Sequence, residues 1–260
     1  MTAAALLAQR SRGLVTLRFG CHGLVDLREE GSAKLRLPRG SREAILINTG
    51  GGLAGGDDFA FDLTVEADAS LAVTTQAAER VYRSLGPPAA VRTRITAGAD
   101  AVFAWLPQET ILYDGAALTR RLDADLEAGA RFLAVEPLLF GRAAHGEDIR
   151  SAKLRDCWRI RRNGRLIFAD DAAFSGARPA SAATLANALA MATVVLIAVD
   201  AERYLDPARA LLDGSCGISA WNGKLVARLT AVDGLALRKV LVPLLVLLSG
   251  GVGLPKVWSI

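Results

Sequence analysis

The chain has 260 residues, 52% of them hydrophobic, and 31 basic side chains against 27 acidic ones, for a net charge of +4. A chain of this size buries roughly 70 to 75% of its unfolded surface, so one large or two small globular domains are expected. The basic residues are spread along the chain without interleaved aromatics, which argues against nucleic acid as a partner.

In chain order, Met1 to Arg12 has a short apolar patch but no basic segment ahead of it, so no secretory signal is expected. Up to about residue 170 the chain reads as strand after strand, because apolar and polar side chains alternate. Val15, Leu17 and Phe19 face one way, followed by Leu35 and Leu37, then by Phe59, Phe61, Leu63 and Val65, then by Val91 and Ile95 with Thr93 between them. A weak repeat, in which Ala69, Ala99 and Ala130 align, carries a strand, a small-residue turn and a second strand. Such a repeat predicts stacked strand layers, each burying its face on the next.

Ser181 to Val199 is uncharged and alanine-rich, and it changes midway to "VVLIAV". It reads as a loop or short helical turn feeding a buried strand, not a membrane span. "DAERYLDPARALLDG" predicts a short helix with Pro207 in an early turn, and Asn222-Gly223 predicts a tight hairpin. "LALRKVLVPLLVLLSGG" predicts a helix kinked at Pro243 and stopped by Gly250 and Gly251. The expected architecture is mainly β, a stacked β-helix-like or sandwich arrangement with about two C-terminal helices. A single domain over 1–260 is expected, β-rich over 13–171, with a mixed α/β part over 180–260 packed on it.

The densest motif is "INTGGGLAGGDD", Ile47 to Asp58, where Gly50, Gly52 and Gly55 match G-x-G-x-x-G. A dinucleotide site requires a helix to follow this turn, so that its amides hold the pyrophosphate. Here "DDFAFDLTVE" predicts a strand, and no Lys-Ser or Lys-Thr closes a Walker loop. Gly50, Gly51, Gly52, Gly55 and Gly56 are therefore read as a tight turn between strands, and a dinucleotide-binding enzyme is the weaker alternative.

Metal and acid–base chemistry have few candidates. His22 and His145 are the only histidines and no H-x-x-H links them, so no high-affinity metal site is expected. Cys21, Cys157 and Cys216 form no C-x-x-C pair and read as reduced thiols, while Cys21 and His22, adjacent on a strand, would point to opposite faces. Among the carboxylates, Glu109 and Glu136 are flanked by apolar strand residues and must be buried with a partner or an ion. No G-x-S-x-G elbow or triad is present, so no catalytic residue is assigned. A carboxylate-based hydrolase on a β scaffold is the other alternative.

Five segments together carry a resemblance: "GGGLAGGD" from Gly50, "TTQAAERVYRS" from Thr74, "WLPQETILYDG" from Trp105, "EPLLFGRAAHGE" from Glu136 and "DCWRIRRNGRLIFADD" from Asp156. In this order they resemble the urease accessory protein D family (UreD, also called UreH), as does the tail "LPKVW". The resemblance implies a largely β, cytoplasmic, non-enzymatic scaffold with no tightly bound cofactor. It further implies that the chain binds UreF, recruits the GTPase UreG through it, and docks on apo-urease to help install nickel. Transient Ni2+ would then cross the chain, with Asp57 and Glu136 foremost and Glu79, Glu109 and Glu147 as further carboxylates of the conduit. Arg80, Tyr82 and Arg83 of "ERVYRS" are read as positioning neighbouring strands by ion pairs and packing.

Overall fold

The computed structural model describes residues 10–142, 145–181, 184–212, 214, 216–250 and 253–259. The chain winds repeatedly from one sheet to another and back. In the first sheet, β1 (Arg12–Gly20), β5 (Asp58–Val65), β8 (Ala89–Ala97), β11 (Ala117–Leu126) and β13 (Ala152–Arg162) run parallel. Antiparallel strands close its two ends, β2 (Gly23–Gly31) on β1 and β14 (Arg165–Gly176) on β13. In the second sheet β4 (Glu43–Asn48), β6 (Ser70–Thr75), β9 (Val102–Trp105) and β12 (Arg131–Phe140) form the parallel stack. It is flanked by β3 (Ala33–Arg36) on one side and by β15 (Ala190–Ile197), β17 (Lys224–Ala231) and β16 (Gly217–Trp221) on the other, all antiparallel. The mainly β, solenoid-like architecture expected from the alternation is the one observed.

The alternating residues face inward as expected: Leu17, Phe59, Leu63, Val65 and Ile95 are all buried between the sheets. Parallel stacking puts equivalent side chains of successive coils in rows, such as Leu17 beside Leu63 and Leu63 beside Ile95. The repeat is real, but its register differs from the sequence alignment. Ser70 pairs with Val102 and Val102 with Arg131, so Ala101, not Ala99, stands between Ala69 and Ala130. The turn residues just before these alanines, Asp68, Asp100 and Gly129, all have positive φ. Short Asp side chains and Gly tolerate this left-handed conformation, and that recurring need is what the small-residue turns encode.

Two elements depart from expectation. Cys21 and His22 are not on a strand; they form the exposed two-residue turn between β1 and β2, where Gly20 pairs with Gly23. Strand β2 was not anticipated, because its charged side chains line an exposed sheet end with little apolar alternation to reveal it. The C-terminal elements otherwise match. Ala201–Tyr204 is a 3-10 turn leading into the short helix α1 (Leu205–Arg209), and Asn222 and Gly223 both take positive φ in the β16–β17 hairpin. Helix α2 (Gly234–Leu248) contains Pro243 and is capped by Asp233, which accepts a hydrogen bond from the Ala236 amide at 2.7 Å. Gly250 follows it with positive φ, and Gly251 lies outside the described residues. The uncharged 181–199 segment ends in β15, and among the described residues no helix is long and apolar enough to cross a membrane.

A second apolar core lies outside the second sheet. Leu133, Val135, Val194, Leu196 and Leu225 meet Leu237, Leu241, Leu244 and Leu248 of α2. Strand β12 therefore has both faces buried, which explains its nearly continuous apolar sequence.

Candidate functional site

The second sheet has a break. β6 ends at Thr75 and a short strand, β7 (Glu79–Val81), resumes after three residues; β9 ends at Trp105 and β10 (Thr110–Leu112) resumes after four. Only β12 runs through, pairing with β9 up to Ala134 and with β10 from Leu138. Glu136 sits in the middle of β12, opposite Thr193 of β15 but without a partner on the β9–β10 edge, on the inward phase that Phe132, Ala134, Leu138 and Phe140 share. Gln108 and Pro107 fill the opposite side of the gap.

A cavity of about 210 Å³ occupies this break and reaches between the sheets. Phe59, Phe61, Val91, Thr93, Leu118 and Arg120 wall it from the first sheet; Thr75, Glu79, Trp105, Gln108 and Glu136 wall it from the second. Its outer wall includes Gly51, Gln76 and Ala77, which are exposed.

Glu136 and Arg120 meet across the sheets, 5% and 7% exposed respectively. Arg120 Nη1 donates to Glu136 Oε2 at 2.5 Å and to Thr110 Oγ1 at 3.2 Å, and Trp105 Nε1 donates to Glu136 Oε1 at 2.9 Å. The other side of the guanidinium holds Asp156 on β13, with Nη2 to Oδ2 at 2.6 Å and Nε to Oδ1 at 3.2 Å. One buried cation thus serves two carboxylates. Burial pushes the Glu136 carboxyl up against the opposing pull of Arg120. Burial also works against the Arg120 charge, but Asp156 and Glu136 outweigh it and raise its pKa.

The side chain that holds Glu79 is an amide. Asn48 Nδ2 donates to both of its oxygens at 3.2 Å and to Gly52 O at 3.1 Å, while Asn48 Oδ1 accepts from the Gly50 amide at 2.9 Å. Burial pushes Glu79 up to about 7, the Asn48 hydrogen bond opposing it. The glycine turn is therefore wired to a cavity carboxylate through Asn48. The turn leads directly into β5, and glycine is required where the chain packs against its neighbour. A Cβ at Gly55 would lie 2.7 Å from Pro87 O, and one at Gly52, whose φ is +145°, would lie 2.9 Å from Arg80 O. Gly51 and Gly56 also have positive φ.

The other predicted carboxylates are engaged elsewhere. Asp57 is buried with Oδ1 accepting from the Ser11 amide at 2.8 Å and Oδ2 from the Ala54 amide at 2.7 Å. Glu109 is buried against Arg238 of α2, with Nε to Oε1 at 2.6 Å and Nη2 to Oε2 at 3.0 Å. Glu147 takes Arg142 by both oxygens, and that hydrogen bonding holds its carboxyl below the usual range. The requirement that Glu109 and Glu136 be buried with partners is met by an arginine in each case.

In "ERVYRS", Tyr82 donates to Gly51 O at 2.9 Å and packs edge-on against Tyr113, and Arg83 pairs with Asp114 at 3.0 Å. Arg80 is exposed and contributes its carbonyl, which accepts from the Leu53 amide at 2.7 Å. His145 is exposed beside a separate pocket with Tyr113 and Arg142. Among the described residues no three His, Cys, Asp or Glu side chains are grouped so as to hold a metal ion. Sequence reading missed Arg120, Asn48 and Asp156. The available signal was Arg120 occupying the inward phase between Leu118 and Leu122, a position where an unpaired charge cannot be buried.

Comparison with known proteins agrees with the motif reading. The family model described as UreD urease accessory protein matches residues 11–259. The chain is 46% identical to the urease accessory protein UreD of Rhizobium etli, covering 100% of this chain and 99% of that protein. It is 48% identical to urease accessory protein UreD 1 of Brucella abortus over 95% of this chain and 91% of that protein. With the UreD protein of Agrobacterium fabrum it shares 47% identity, over 97% and 92% respectively. A match that runs through every coil of the solenoid, the cavity and the C-terminal helix places the chain in the urease accessory protein UreD family.

Proposed function

We propose that the chain is a non-catalytic scaffold of urease maturation, which binds UreF directly and UreG through it, docks on apo-urease in the cytoplasm, and conducts Ni2+ toward the urease metallocentre. The observation that carries the passage is the cavity at the break in the second sheet, with carboxylates Glu79 and Glu136 on one wall. Two separated carboxylates suit a cargo that must leave again; a cage of histidines or thiolates would retain nickel. Asp57, Glu109 and Glu147 serve this function by holding the turn, the helix and the surface loop in place, because their carboxylates are engaged away from the lining of this cavity.

Co-expression with urease, UreF and UreG tests this. Glu79→Gln and Glu136→Gln should leave co-purification of the chain with UreF intact and lower the nickel bound per urease several-fold. Normal nickel loading in both variants would overturn the passage; failure of the unmodified chain to associate with UreF would overturn the scaffold.

A further inference from the structure

The buried Arg120 raises a physical difficulty for any cation that reaches Glu136, because a fixed guanidinium already stands there and repels it. Its two carboxylate contacts are unequal. Glu136 receives a single hydrogen bond from Arg120, whereas Asp156 receives two, from Nε and Nη2. Arg120 can therefore release Glu136 while remaining forked on Asp156, and it keeps a charge partner throughout. The opposite exchange would leave Asp156 unpaired at 13% exposure, which is unfavourable. The cavity lining also includes an unsatisfied group. Gln108, itself only 4% exposed, has an Nε2 without a hydrogen-bond partner, and a buried donor on a cavity wall marks room for water or the water shell of a hydrated ion.

Building on the nickel-passage reading, we propose that Arg120 is a tethered internal cation: it neutralises Glu136 while the cavity is empty, yields Glu136 to an arriving divalent cation by turning onto Asp156, and returns to expel it. This makes Arg120 a positioning residue that sets how tightly the passage holds its cargo. Without it, Glu136 and Asp156 would form an uncompensated two-carboxylate trap.

Equilibrium dialysis of the full-length chain against Ni2+, with circular dichroism to check folding, separates this role from a purely structural one. Arg120→Gln should bind Ni2+ about tenfold more tightly than the unmodified chain, and adding Glu136→Gln should abolish the gain. Asp156→Asn removes the tether, so Arg120 stays on Glu136 and Ni2+ binding should weaken. Unchanged affinity in Arg120→Gln, or a gain that survives Glu136→Gln, overturns the proposal. If Arg120→Gln does not fold, Asp156→Asn decides: binding equal to that of the unmodified chain overturns it. The passage has its own indicator. Weaker binding in Glu79→Gln with no change in Arg120→Gln would leave the passage standing and remove the exchange, whereas no change in any variant would remove both.

Discussion

Among the described residues, two arginine–glutamate pairs with a buried carboxylate lie one on each side of the second sheet, and they differ in partners and surroundings. Arg238–Glu109 lies outside, between α2 and the sheet. Arg238 also donates to Gln108 Oε1 and lies over the Trp258 ring at 5.3 Å, and Trp258 Nε1 donates to Leu106 O at 3.0 Å. There one cation meets one carboxylate, with an aromatic ring covering it. Arg120–Glu136 lies inside, beside a cavity, where one cation is shared by two carboxylates. The first arrangement is a latch, with its charges satisfied in one geometry. The second has charge left over and space to rearrange. The contrast shows that burial of an ion pair says little about its role; stoichiometry and adjoining free volume decide it.

Breaking the latch should give the largest effect. Trp258→Ala should cost about 3 to 5 kcal/mol in urea unfolding, because it removes a buried indole and leaves the Leu106 carbonyl unpaired. The Glu79 and Glu136 side of the sheet should keep its geometry, so Ni2+ binding by the folded fraction should be unchanged. A loss of binding in step with stability would show that the two sites are coupled through Gln108.

The cavity side should instead reveal itself through pH. Glu79 titrates near 7 in the folded chain and near 4.5 when exposed, so the folded state binds its proton more tightly. That contribution is fully present below about pH 4.5 and is lost as pH rises through 7, up to about 3 kcal/mol in all. Glu79→Gln should flatten this part of the stability profile measured by urea melts from pH 4.5 to 8. An unchanged slope would mean that Glu79 is not desolvated.

Asp57 offers a third case, a buried carboxylate held by two backbone amides. Asp57→Ala strips acceptors from the Ser11 and Ala54 amides and should cost about 1 to 3 kcal/mol by thermal unfolding, with rescue by Asp57→Asn only in part. The smallest effect belongs to the surface pair: Glu147→Gln should leave the melting temperature within experimental scatter, since Arg142 is 43% exposed. A marked fall there would show that the 145–147 turn supports more than its own loop.

The strands that could be read from sequence are those with one face in the core. Phe59, Phe61, Leu63 and Val65 announce β5 because side chains two residues apart share a face. β2 escaped because it closes the stack and carries Asp26, Arg28, Glu29 and Glu30 where a central strand would carry apolar groups. The repeat was visible but shifted by two residues, since alanines recur throughout these turns and only hydrogen-bonded register distinguishes Ala101 from Ala99. At the site, Glu136 stood out as a carboxylate in an apolar run, whereas Asp156 lies among charged neighbours that hide it.

Sequence alone determined that the chain alternates into stacked strands, that the glycine turn opens no helix, that Glu109 and Glu136 must be paired, and that the five ordered motifs resemble the UreD family. Each follows from local periodicity, from the cost of burying an unpaired charge, or from motif order. Tertiary structure alone decided which arginine each glutamate takes, and that a cavity opens where β6 and β9 end early beside an unbroken β12. The reason is geometric. Arg120, Glu136 and Asp156 come from three successive strands, β11, β12 and β13, in two sheets, and only the packing and register of those strands bring them together.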